Sequence, residues 1–130
     1  MASFALSFGE NSVKNGAKLV NKNAAATSPS LLIRQPPGYY AVSIACEDTP
    51  YLLYLKANMF SNGTRGTVIS NYQGPSPNLP LNMRYTAKLW RQVRRLTPPP
   101  AAPNSRTRFS LVNFVAKYGL VEVGRITFTV

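Results

Sequence analysis

Tyr39-Tyr40-Ala41-Val42-Ser43-Ile44-Ala45, the turn Asp48-Thr49-Pro50, the apolar run Tyr51-Leu52-Leu53-Tyr54-Leu55-Lys56-Ala57 and the pair Asn62-Gly63 are the stretch on which the fold turns. Tyr, Val and Ile are strand formers, because β-branched and aromatic side chains pack well on a pleated surface. Asp48-Thr49-Pro50 reads as the reversal between two strands. Asn62-Gly63 suits a two-residue hairpin turn, since both central positions accept positive φ, and Gly66 to Tyr72 reads as the returning strand. Asn62-Gly63-Thr64 also matches a glycosylation sequon. Met1-Ala2-Ser3-Phe4 lacks the charged and apolar regions of a signal peptide, so the turn reading is kept.

Outward from this stretch the β signal continues. Pro36-Pro37-Gly38 punctuates the chain just before it. Phe4, Leu6 and Phe8 alternate with Ser3, Ala5 and Ser7, the period of a short strand. Asn11 to Ser30, rich in Asn, Ala, Ser and Lys, reads as an arm or long loop. Downstream, Gly74-Pro75-Ser76-Pro77-Asn78-Leu79-Pro80 reads as a stiff loop. Pro98-Pro99-Pro100-Ala101-Ala102-Pro103 reads as an extended surface connector. Phe109, Val112 and Ala116 lie at helical spacing, which makes Phe109 to Tyr118 a candidate helix. Val121 and Val123 share one phase and Ile126, Phe128 and Val130 the next, with the switch at Gly124, as a bulge requires. Seven or eight short strands between Pro and Gly turns predict an all-β fold, an antiparallel sandwich or jelly-roll-like barrel with one short helix. Residues 1–35 divide off as an N-terminal strand and arm or loop, and 36–130 as the β-rich basic domain.

Charge is the second strong signal. Among 130 residues, fifteen Lys and Arg stand against four acids, Glu10, Glu47, Asp48 and Glu122, for a net charge of +11. Ten basic residues and no carboxylate lie between Asp48 and Glu122. One sign at this density costs self-repulsion in a compact state. A polyanion that releases its counterions on binding offsets that cost.

The basic segment is Met83-Arg84-Tyr85-Thr86-Ala87-Lys88-Leu89-Trp90-Arg91-Gln92-Val93-Arg94-Arg95-Leu96. Read as a strand, it places Arg84, Thr86, Lys88, Trp90, Gln92 and Arg94 on one face, opposite Met83, Tyr85, Ala87, Leu89 and Val93. Read as a helix, it stripes Arg84, Lys88, Arg91 and Arg95 apart from Tyr85, Leu89, Val93 and Leu96. Both periods fit, and the β-rich neighbours favour the strand. Either way, one cationic face is expected opposite an apolar one. Arg84, Lys88, Arg91, Arg94 and Arg95, with Arg106 and Arg108 beyond the proline connector, are candidate phosphate contacts. Trp90 is a candidate to stack on an unpaired base, a contact worth roughly 1–3 kcal/mol, or else a core residue. No zinc-finger, RRM, KH or P-loop pattern is present.

The chemistry of an enzyme is hard to assemble from this composition. The chain has no histidine, the commonest general base and metal ligand. Cys46 is the only cysteine, which excludes an intrachain disulfide, and beside Glu47 it lacks the electropositive setting that activates a thiol. No catalytic residue, metal site or cofactor is expected, and no run reaches the 18 or so apolar residues of a membrane span.

In its short strands, proline-rich connectors, basic excess and C-terminal strand, the chain resembles small RNA-virus coat proteins of the jelly-roll type. Tyr118 to Val130, entered through Gly119, is similar to the last strand of that fold. The resemblance covers residues 36 to 130. It implies a structural coat protein in the virion or host cytoplasm that self-associates into a homo-oligomer or shell and packages RNA on basic faces. Coat proteins of RNA bacteriophages are a second viral comparison, although their paired C-terminal helices are not visible. Two alternatives remain: a small regulatory RNA- or DNA-binding protein, and a basic interaction protein whose partner is an acidic protein.

Overall fold

The structure is a computed structural model that describes residues 3–8, 11–13, 17–18, 29–46, 51–72, 84–98 and 111–129. Its strands are β1 (Ser3–Phe8), β2 (Asn11–Val13), β3 (Ala17–Lys18), β4 (Pro29–Arg34), β5 (Tyr39–Cys46), β6 (Tyr51–Met59), β7 (Thr67–Ser70), β8 (Arg84–Gln92) and β9 (Val121–Thr129). One helix among the described residues, α1 (Leu111–Tyr118), precedes β9. A small sheet of order β2-β1-β4 lies on a six-stranded sheet of order β3-β9-β8-β5-β6-β7. All pairings are antiparallel except the short β3–β9 pair. Seven of the strands are four residues or longer, and the sheets do not close into a barrel. The sandwich alternative of the sequence reading is therefore the fold.

β5 and β8 run through the middle of the large sheet, and both of its faces are covered. Tyr40, Val42 and Ile44 of β5 pack with Tyr85, Ala87 and Leu89 of β8 in the clusters that receive Leu6 and Ile33 from the small sheet. Ala41, Leu55 and Trp90 lie in the other cluster, beneath Leu111, Phe114, Val115 and Tyr118 of α1. Two covered faces explain why Tyr39 to Ala45 is nearly apolar throughout rather than alternating. Each fully buried Leu, Ile or Val contributes about 1.5–3 kcal/mol relative to exposure.

The ambiguity over residues 83–96 resolves to a strand, but not to the expected division of faces. Tyr85, Ala87 and Leu89 are buried on one side and Thr86, Trp90 and Gln92 on the other. A central strand under two layers has no cationic face: Lys88 at mid-strand is half-buried against Trp90 and Glu122, and the exposed charges lie at the strand ends and in the loop that follows.

The hairpin appears as β6 and β7, registered Leu55 to Ser70 and Ala57 to Thr67. Its connection spans 60–66 instead of two residues. Phe60 N donates to Thr64 O at 2.9 Å, and Asn62 Oδ1 accepts from Thr64 N at 3.1 Å. Gly66 closes the loop at φ +102°, where an added Cβ would stand 2.6 Å from the Ala57 carbonyl oxygen. No other residue fits there.

The bulge expected near Gly124 falls one residue earlier. Leu89 pairs with Gly124 but Trp90 pairs with Glu122, leaving Val123 as the extra residue. Phe4 of the small sheet presses on Gly124, 3.1 Å from where a Cβ would be. The helix also forms, but with a different buried face. Leu111, Phe114, Val115 and Tyr118 pack inward, while Val112 is 78% exposed and Ala116 is exposed. The arm expected over 11–30 falls largely outside the described residues, as do the loop over 74–80 and the connector beyond Pro98.

Candidate functional site

Trp90 is 6% exposed, and its Nε1–H donates to Ser43 Oγ at 3.0 Å. Lys88 lies over the ring, with Nζ 5.6 Å from the centroid. An indole held under a helix and a lysine presents no face to a base, so the stacking role is corrected to a core role. Lys88 is also committed locally, its Nζ lying 3.5 Å from Glu122 Oε1. Arg125 donates to both oxygens of that carboxylate, at 3.1 and 3.0 Å. These guanidinium hydrogen bonds hold the Glu122 carboxyl below its ordinary range, against a smaller opposing effect of burial. Glu122 is the one acid among the described residues, and it is fully occupied.

The remaining candidates divide by position. Arg84 is exposed at the start of β8, away from the others. Arg91, Arg94 and Arg95 are exposed at its far end and in the loop beyond, and among the described residues none has an ion-pair partner. Arg106 and Arg108 lie outside the described residues.

The loop that carries Arg94 and Arg95 is pinned from below by buried amides. β6 takes an extra residue against β5 between Lys56 and Met59, and Asn58 sits there at φ +60°. Asn tolerates this left-handed conformation better than most residues. The bulge turns its side chain toward the end of β8. Asn58 Oδ1 accepts from Gln92 Nε2 at 2.9 Å and from Leu96 N at 2.8 Å. Asn58 Nδ2 donates to Leu96 O at 2.8 Å, and Asn58 N donates to Gln92 Oε1 at 2.7 Å. Gln92 Nε2 also donates to Arg94 O at 3.0 Å. A satisfied buried network of this kind rigidifies what it touches. Here it fixes the backbone that displays the two arginines.

Above the clamp lies a concavity of about 600 Å³. Arg95 enters it from the β8 loop and Arg65 from the β6–β7 loop, with Asn58, Tyr39 and Phe60 around them and Gly66 beside Arg65. The Tyr39 and Phe60 rings meet at a tilt, centroids 6.1 Å apart. Arg65 is itself left-handed, at φ +61°, between the turn of 60–64 and Gly66. Among the described residues no carboxylate lines the concavity. Two unneutralised guanidiniums beside an aromatic wall make a site for an anion joined to an apolar group.

Sequence reasoning named Arg95 only as a phosphate contact and gave no role to Arg65, which stands alone between Thr64 and Gly66. It also placed Gln92 on a cationic face and gave Asn58 no role. The available signal was local: an Asn at the end of an apolar strand is a natural bulge residue. Its pairing with Gln92 is long-range and has no sequence signature. Among the described residues no three metal-ligating side chains gather, and no helix is long and apolar enough to cross a membrane.

No protein-family model matches the sequence, and no curated protein matches it. Among solved structures, the chain is similar to the carboxypeptidase Y inhibitor in the crystal structure of that inhibitor complexed with the cognate proteinase. The TM-score is 0.80 at 13% identity, over 98% of this chain and 81% of the other. At that identity the likeness is one of fold.

This finding corrects the coat-protein resemblance, and with it shell assembly, RNA packaging and the nucleic-acid partner expected in either reading. The features that carried the resemblance were short strands, proline connectors and a glycine-led final strand. They are general to β-sandwiches: Tyr118–Val130 contains a strand that pairs with β8, in an architecture shared with a proteinase inhibitor. The electrostatic premise also weakens in the structure. The candidates do not form one phosphate-tracking face, because Trp90 is buried, Lys88 is paired with Glu122, and the exposed arginines are split, with Arg84 at one end of the strand and Arg91, Arg94 and Arg95 at the other.

Proposed function

We propose that this chain is a non-catalytic binding domain whose partner is a protein with an acidic surface, docked on the end of the sandwich that carries Arg65, Arg91, Arg94 and Arg95. The observation that carries this reading is that Arg65 and Arg95 face one concavity without an ion-pair partner among the described residues, with the backbone around Arg95 held by the Asn58–Gln92 clamp. Arginine forks suit carboxylate recognition, and cations gathered on one patch steer an acidic partner and set its orientation. The fold likeness to a protein crystallised with its cognate proteinase supports a protein partner by analogy of architecture.

The test compares binding of the full chain to poly-L-glutamate, by fluorescence anisotropy, with that of two variants that each lose three charges. Changing Arg91, Arg94 and Arg95 to Gln is expected to weaken binding far more than changing Lys14, Lys18 and Lys22 to Gln. Equal losses would mean that only net charge matters and would overturn the reading. Stronger retention of a polynucleotide than of poly-L-glutamate at matched ionic strength would overturn it too.

The same likeness favours a narrower version, in which the acidic partner is a proteinase. Progress curves of carboxypeptidase Y on a reporter peptide should then slow when the chain is added. Unchanged curves remove that enzyme as the partner.

A further inference from the structure

We propose that the concavity between Arg65 and Arg95 is a pocket for one carboxylate carried next to an apolar side chain, the anchor residue pair of the partner. The inference rests on the protein-binding reading and adds the chemistry that the site selects.

Volume is the first argument. About 600 Å³ falls within the usual size of small-ligand pockets, roughly 300–1,000 Å³, and holds one or two side chains rather than a strand. Charge is the second. Arg65 and Arg95 both line the cavity, and neither has an ion pair or hydrogen-bonded acceptor among the described residues. Each guanidinium offers a planar fork that matches a carboxylate. Shape and polarity are the third. Phe60 is 42% exposed although it packs on Tyr39, so one wall is an aromatic surface open to solvent. A neighbouring shallow cleft, lined by Pro37, Gly38 and the same Tyr39 and Phe60, extends that apolar wall beyond the arginines. An apolar side chain next to the bound acid has somewhere to go.

Preorganisation is the last argument. A left-handed arginine costs of order 1 kcal/mol and persists only where its surroundings impose it. Arg65 is held so by two neighbours: the turn closed by Phe60 N to Thr64 O, and Gly66, which packs too tightly on Ala57 to accept a side chain. Arg95 is held by the amide clamp beneath Leu96. With the backbone at both positions fixed before binding, only the two exposed side chains remain to be ordered, which lowers the cost of a specific contact.

The carboxylate has two natural sources, a side chain or a chain terminus, and short probes separate them. Acetyl-Phe-Glu-amide carries only a side-chain carboxylate and acetyl-Gly-Phe only a terminal one, while acetyl-Phe-Gln-amide is the neutral control. Each is titrated into the full chain and followed by amide chemical shifts. One acidic probe, or both, is expected to shift the amides of 60–66 and 93–96, with the control at least about ten-fold weaker, the size expected for a charged hydrogen bond. Arg65→Asn removes the guanidinium but tolerates the left-handed backbone, and Arg95→Gln removes the other fork; each should weaken the acidic probe by at least about ten-fold. Arg84→Gln, at the opposite end of β8, should leave it unchanged. Equal binding of the control, or full binding by both cavity variants, overturns the pocket. If poly-L-glutamate binds at the arginine end while no short probe does, the pocket fails and the protein-binding reading stands. If neither binds, both fail.

Discussion

Asn58 shows how one residue links backbone, core and surface. Its φ of +60° suits a short polar side chain, and its amide satisfies three groups on Gln92 and Leu96. Asn58→Ala would lose the tolerance for that conformation and leave a buried donor and acceptor of Leu96 and a donor of Gln92 without this partner. Each buried unsatisfied group costs about 1–3 kcal/mol, so a loss of about 3 kcal/mol or more is expected, read as a lower urea midpoint. The more specific outcome is functional. In Asn58→Ala kept folded by working well below its midpoint, affinity for poly-L-glutamate should fall although no charge is removed. Unaltered affinity would show that the arginine loop needs no support from below. Gly66 contributes at the same scale, because it lets β7 approach the Ala57 carbonyl and brings Arg65 to the rim.

Among the elements, α1 and β9 expose what a sequence pattern can and cannot carry. Helical spacing at Phe109, Val112 and Ala116 suggests a helix, and one exists, but the half-buried residues it packs on the core are Leu111, Phe114, Val115 and Tyr118. Two interleaved apolar stripes were present, and only contact with Trp90 and Leu120 selects between them. Phe114→Ala should therefore cost about 2–4 kcal/mol, somewhat less than a fully buried aromatic, while Val112→Lys should change stability by no more than about 0.5 kcal/mol. Thermal melts of the two variants decide it, and a reversed order would mean the helix is rotated.

β5 and β6 were legible because apolar runs bounded by turns are a local signal, whereas 83–96 fitted a helix and a strand alike. The face assignment of 83–96 was not legible either, because an amphipathic period looks the same in an edge strand and in a central strand that buries Gln92 and Trp90. On β9, Glu122 lies below its ordinary range because Arg125 and Lys88 stabilise its charged form. A carboxylate lowered in the folded state contributes stability above its unfolded pKa and loses it as pH falls through the folded value. The stability gap between the wild-type chain and Glu122→Gln should thus be present near neutrality and close in acid, as urea midpoints across the acid range would show. A gap that persists at low pH would assign the effect to packing.

For the molecule as a whole, a net charge of +11 with its one described acid already paired means that repulsion is not balanced within the fold. Stability comes instead from a core covered on both faces of the large sheet, and the charge is carried at a cost. Salt reveals which view is right. Between 0.01 M and 0.1 M the screening length falls from about 30 to about 10 Å, which removes repulsion between arginines on separate loops but leaves the contacts of the core alone. Melting temperature should therefore rise over that range, whereas a fold held by surface ion pairs would soften. The variant with Arg91, Arg94 and Arg95 changed to Gln carries less of the strain. It should be more stable than the wild-type chain at low salt, with the difference shrinking as salt is added. Residues that weaken the free fold yet are gathered at one place on its surface are expected where binding, rather than folding, keeps them. If the triple variant is instead less stable at every ionic strength, those arginines hold the sandwich together and the docking surface must be sought elsewhere.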